Sequence, residues 1–127
     1  MLLDDLRGRL KADCLMTDPD VLASYAHDEA EWAPFGQPAA LVRARTPTDV
    51  QAVVQVCLAH GTPVVARGAG TGLSGGANAI NGCVVLSTEA MNTIVEINPL
   101  ERLAVVEPGV VNDDLRAAVA AQGLWYP

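Results

Sequence analysis

Arg67-Gly68-Ala69-Gly70-Thr71-Gly72-Leu73-Ser74-Gly75-Gly76 decides the fold, because five of its ten residues are glycine. A glycine where alanine would fit forgoes about 0.4–1 kcal/mol through unfolded-state entropy, so five forgo about 2–5 kcal/mol of a typical total of about 5–15. Two causes sustain such a run: backbone positions that need positive φ, or a group that approaches the main chain too closely for a Cβ. The surrounding pattern is strand, loop, strand. A row of exposed N–H groups in such a loop makes a concave anion site, and Arg67 at its mouth is expected to add a positive charge. The leading reading is a diphosphate cradle; the plain alternative is a glycine-rich connection.

Upstream, Ala40–Ala44 is an aliphatic strand. Thr46 is a natural N-cap for the next helix, with Pro47 at its first position and Asp49 where a capping box puts its acid. Val50, Val53, Val54, Cys57 and Leu58 repeat at helical spacing and predict its buried face. His60 falls in the last turn and Gly61 supplies the stop. Thr62–Ala66 is the next strand, so strand, helix and strand form a βαβ unit. The glycine loop leaves the carboxyl end of that second strand, where open α/β sheets place ligands.

Downstream, Asn78, Asn81 and Gly82 mark a turn, and Cys83–Leu86 is a strand. Ser87–Asn92 is a short link. Ile94–Ile97 and Leu103–Val106 read as an antiparallel hairpin. Glu107-Pro108-Gly109 turns the chain into a helix that Asn112 is expected to cap, with Leu115, Ala118, Val119 and Gln122 facing inward and Gly123 ending it. At the other end, Leu2, Leu3, Leu6 and Leu10 predict an amphipathic helix, Cys14–Met16 a short strand, and Thr17 or Asp18 a cap for a helix over 19–24. Residues 25–38 have no period and read as a loop. The class is therefore α/β with α+β character: a parallel βαβ subdomain followed by the start of a mostly antiparallel one.

Composition narrows the function. The chain has 127 residues, half of them apolar, and a net charge of −7. Its eight basic residues form no run, which argues against nucleic acid and anionic membranes as partners. Cys14, Cys57 and Cys83 are odd in number and unpaired in spacing, and His27 and His60 sit in no metal-ligand pattern, so neither a disulfide scaffold nor a metal site is expected. His27, set among acids, reads first as a surface histidine and second as a proton shuttle. The N-terminus lacks a signal peptide's basic start, no stretch reaches the length of a membrane span, and a cytoplasmic protein is expected.

Three phosphate-loop readings compete. A Walker loop needs a lysine after its last glycine, and none stands near. Gly70-Thr71-Gly72-Leu73-Ser74-Gly75 matches the Rossmann fingerprint by letters. That fingerprint must open a helix, and Gly76–Gly82 leaves no room for one. A strand–loop–strand cradle, holding an anion by backbone N–H groups with the Thr71 and Ser74 hydroxyls, survives.

Pro63-Val64-Val65-Ala66 followed by the loop strongly resembles the FAD pyrophosphate segment of the vanillyl-alcohol-oxidase-type flavoproteins, with their PCMH-type FAD-binding domain. It is most similar to the glycolate oxidase flavin subunit and D-lactate dehydrogenase group. Arg45–Val50, Met91–Pro99 and Glu107–Val110 fall in the same order as that family's first capped helix, post-loop strand and flavin-side turn. The resemblance implies that the backbone of Arg67, Gly68, Ala69, Gly70, Thr71, Gly72, Leu73, Ser74, Gly75 and Gly76 binds the FAD diphosphate and that Pro108 and Gly109 line the cofactor. It also implies hydride transfer from a small 2-hydroxy acid, glycolate or D-lactate in type, to flavin. Oxygen, a quinone or an iron–sulfur partner subunit remain open as electron acceptors. Some relatives bind FAD covalently through a histidine in or beside this loop. No histidine follows His60, so non-covalent FAD is expected. In the family the chain continues past the position of Tyr126-Pro127 into further flavin-binding and substrate-capping segments. Residues 1–127 are thus expected to be the N-terminal part of an FAD-binding domain, with no catalytic residue of their own, inactive alone, and marginally stable or self-associating. The rivals are a non-catalytic nucleotide-binding or assembly module and a structural fragment that binds nothing.

Overall fold

In the computed structural model, which describes all of residues 1–127, two helices begin where their capping residues stand. In α2 (Pro19–Ser24) the Asp18 carboxylate accepts from the amides of Asp20 and Val21. In α3 (Pro47–Ala59) Thr46 Oγ1 accepts from Asp49 N at 3.2 Å. The Asp49 carboxylate reaches back to Arg45 N at 2.9 Å, one residue before the cap. Gly61, at φ +62°, turns the chain out of α3. α4 (Asn112–Ala120) departs from expectation: Val111 is its N-cap, Asn112 is its first helical residue, and no side chain caps it.

Four strands form the main sheet: β1 (Leu15–Met16), β2 (Ala40–Arg43), β3 (Val64–Arg67) and β4 (Val84–Ser87), in the order β1-β2-β4-β3. β2, β4 and β3 are parallel and β1 joins the edge antiparallel. The predicted βαβ unit therefore skips one place, and β4 fills the gap. All four residues of β4 are buried, as a central parallel strand covered on both faces requires. β5 (Ile94–Asn98) and β6 (Leu103–Val106) make a separate antiparallel hairpin.

Alternate residues of the strands feed two cores. Ala40, Val42, Val84 and Leu86 pack on one side with Leu6 and Leu10 from α1 (Leu2–Arg9) and its end, and with α3. Leu41, Val85 and Cys83 pack on the other with Leu22, Ala26 and Ala79. The predicted face of α3 is rotated in the structure. Ala52, Val53, Val56 and Cys57 are buried, while Val54 is 47% and Leu58 79% exposed. Apolar residues ring this helix, so periodicity could not choose a face. The chosen stripe puts the small Ala52 inward and carries His60 to α1, where its Nε2 lies 2.6 Å from Asp5 Oδ2. In α4 Leu115 and Val119 are buried as predicted, but Gln122 is exposed. No helix is long and apolar enough to cross a membrane.

Candidate functional site

The glycine loop leaves β3 at the carboxyl ends of the parallel strands, and the chain then returns to the opposite edge to start β4. From Gly68 to Ala77 no main-chain amide donates a hydrogen bond within the chain. The segment's carbonyls are partly used: Gly72 O accepts from Glu29 N at 3.0 Å and Gly75 O from Asn78 N at 3.1 Å. The five glycines divide by cause. Gly70 and Gly75 take φ +73° and +76°. A Cβ on Gly72 would meet Asp28 Oδ2 at ordinary contact distance, whereas Gly68 and Gly76 have no positive φ and nothing within 4 Å of a Cβ position. Nothing inside the chain accounts for those two.

Arg67 does not stand at the loop's mouth. Its side chain folds inward, 9% exposed, and donates to His27 O at 2.8 Å and Tyr25 O at 3.4 Å. It stacks over the Tyr25 ring at 5.3 Å, and a Cβ on Gly70 would overlap its guanidinium. The expectation of a mouth charge is thus corrected: two main-chain carbonyls and an aromatic face draw this guanidinium inside, where it stakes the loop to residues 25–28. The stretch read as a featureless loop is the other half of this brace. Asp28 N donates to Asn78 Oδ1 at 2.8 Å, and Asn78 Nδ2 donates to Ala33 O and Pro34 O. Asn78 and Asp28 are both buried.

A cleft of about 550 Å³ opens beside the loop. Ala69 and Thr71 form one wall, and Pro108, Gly109 and the start of α4 form another. Arg43, Glu89 and Arg116 also line it. Gly109 fixes the second wall: its N–H donates to Met91 O at 2.8 Å, and a Cβ there would overlap Thr88 O. Arg43, Ser87 and Arg67 share one register across β2, β4 and β3. Glu89 joins this row, with Oε1 accepting from Tyr25 Oη at 2.6 Å and lying 2.8 Å from Arg43 Nε. The carboxylate's hydrogen bond, with burial, pushes the Tyr25 phenol up. Of the residues nominated from sequence, Ala69, Thr71, Pro108 and Gly109 meet in this cleft, while Leu73, Ser74 and Gly76 are exposed beyond its lining. Arg43, Glu89, Tyr25 and Arg116 were missed, because their meeting depends on strand order and not on any local motif.

Other candidates lie elsewhere. His27 stacks on Phe35 at 4.9 Å between ring centroids and does not line the cleft. The three cysteines are buried, and burial pushes each thiol up, which disfavours reactive thiolate. No group of three or more His, Cys, Asp or Glu converges as a metal site. A larger groove, about 730 Å³, runs between the hairpin, α4 and residues 122–126, and its lining is mostly apolar.

Residues 38–127 match the family described as FAD binding domain. The D-2-hydroxyglutarate dehydrogenase of Stutzerimonas stutzeri is 39% identical over 99% of this chain and 27% of its own length. The glycolate oxidase subunit GlcD of Escherichia coli is 42% identical over 71% of this chain and 18% of its own. Among solved structures, the 4-ethylphenol oxidase from Gulosibacter chungangensis superposes with a TM-score of 0.85 at 26% identity, covering 96% of this chain and 24% of that one. The chain spans about a quarter or less of the length of these relatives.

Proposed function

The chain belongs to the FAD binding domain family, and from that premise we propose that residues 1–127 form the part of a flavin-dependent 2-hydroxy-acid oxidoreductase that cradles the cofactor's diphosphate. The run of unpaired amides from Gly68 to Ala77 carries this reading. Oriented backbone N–H groups are what an anion needs, and they cost no rearrangement when it arrives. The bare faces of Gly68 and Gly76 supply the close approach. Thr71 adds a hydroxyl on the cleft side, and Pro108-Gly109 closes the opposite wall.

When bound, the flavin supplies a two-electron acceptor for oxidation of a hydroxyl-bearing carbon. The residues of this chain bind and orient it, and none of them is assigned to the chemical step. The substrate class, a small 2-hydroxy acid, follows the similarity to the glycolate oxidase subunit and the D-2-hydroxyglutarate dehydrogenase. Attachment is non-covalent on this reading, since neither histidine lines the cleft.

The test is an FAD titration of the purified chain, read by flavin fluorescence, alongside a Gly68→Ala/Gly76→Ala variant. Saturable binding is expected for the wild type, with flavin released on denaturation. The variant should bind about tenfold more weakly or worse, a loss of about 1.4 kcal/mol, with no fall in Tm, because neither Cβ meets the protein. A folded wild type that binds no FAD overturns the proposal, and so does a variant that binds equally well.

A further inference from the structure

We propose that Arg43, not Arg67, is the guanidinium that pairs with the cofactor's diphosphate, with Glu89 holding it in place. This rests on the glycine loop being the diphosphate cradle. The loop lies in a chain of net charge −7, so an anion there needs a local cation. Three arginines stand near enough to consider. Arg67 is inside, committed to Tyr25 O, His27 O and the Tyr25 ring. Arg116 lines the cleft, but its Nη1 is 2.6 Å from Asp113 Oδ1 and its Nη2 donates to Pro127 O.

Arg43 is different. It ends β2 at the same level at which Arg67 ends β3, so it stands at the carboxyl edge of the parallel strands. It lines the same cleft as Ala69 and Thr71, and its side chain is 42% exposed. Its buried Nε lies 2.8 Å from Glu89 Oε1 but too far off line for a hydrogen bond, and no other hydrogen bond engages its guanidinium. Glu89 is itself anchored, by Tyr25 Oη on one side and by its own N–H to Ser87 Oγ at 3.3 Å. An anchored carboxylate therefore aims a guanidinium whose terminal Nη donors make no hydrogen bond, on the wall beside the unpaired amides. A planar fork of donors suits a phosphate better than a point charge does.

The experiment compares FAD, ADP and riboflavin as ligands of the wild-type chain and of Arg43→Met. Methionine keeps much of the stem and removes the donors. FAD and ADP are expected to bind about 10- to 100-fold more weakly to the variant, the scale of hydrogen bonds to a charged group. Riboflavin, which has no phosphate, should respond equally to both proteins. A second measurement needs no variant: an arginine-selective dicarbonyl reagent is applied to the wild type, and ADP should protect Arg43 from it. Wild type binding FAD, with Arg43→Met binding it equally or Arg43 left unprotected, overturns this assignment and leaves the cradle standing. A folded wild type that binds neither FAD nor ADP overturns both.

Discussion

The two halves of this molecule solve the same packing problem to different extents. In the parallel half, both faces of the sheet are covered by the chain itself, and Leu41, Val42, Val84 and Val85 are fully buried. In the hairpin half only one side is served: Val95 is 63%, Leu103 45% and Val105 46% exposed. Ion pairs divide the same way. Asp5–His60, Asp13–Arg45 and Arg43–Glu89 join distant parts of the chain, and each has at least one member in or beside the parallel half. The hairpin half has only Arg116–Asp113, within one helix. A two-stranded ribbon is marginal unless something packs on it. What ties it down here is backbone: Gly109 N donates to Met91 O at the seam, and Met91 packs in the first core. The candidate cleft lies on that seam, so a robust scaffold presents one wall and a lightly held one presents the other.

The largest expected effect tests the comparison directly. Leu41→Ala removes a side chain with no exposure from the middle of the parallel sheet and should cost about 2–5 kcal/mol. Val105→Ala, on a half-exposed strand, should stay within about 0.5 kcal/mol. Denaturant melts of the two variants measure this, and similar losses would erase the distinction between the halves. Next comes the seam. Gly109→Ala forces a Cβ against Thr88 O and Met91 O, main-chain atoms that cannot rotate away, and should cost about 1–3 kcal/mol. It should also weaken FAD binding by more than an equally destabilising change such as a mild truncation in the first core, because it displaces a cleft wall. Matching binding losses for the two would mean that the seam has no special role.

Much of this was legible in the sequence, for physical reasons that differ by residue. Thr46-Pro47 and Asp18-Pro19 are local devices, and both helices begin there. The glycine loop was legible because five glycines have few explanations. The face of α3 was not, since Val54 and Leu58 are as apolar as the residues buried in their place. Nor was the role of Arg67: next to an anion loop a cation reads as a ligand, and only the fold shows Tyr25 O and His27 O waiting for it. Arg43 and Glu89 carry no motif. They meet because β4 inserts between β2 and β3, which places Arg43 and Arg67 on either side of Ser87. A strand order that periodicity does not encode thus decides which arginine is free.

The smallest effect concerns the ties that hold the N-terminal elements to the parallel half. The hydrogen bond from His60, helped by the N-terminal ammonium, holds the Asp5 carboxyl below its ordinary 3.8. The hydrogen bond from Arg45 does the same for Asp13. Each carboxylate is then easier to keep ionised in the folded chain than in the unfolded one. Their contribution is complete above the unfolded value and fades as pH falls from about 3.8 through the lower folded values. Both groups are exposed, so solvent screens the pairs and little should change at neutral pH. An Asp5→Asn/Asp13→Asn variant should therefore melt like the wild type at pH 7 and lose stability less steeply below pH 3.8. Parallel acid titrations followed by circular dichroism would show it. Coincident curves would mean that burial of Leu6 and Leu10 alone seats α1, and that the parallel half owes its advantage to packing and nothing to charge.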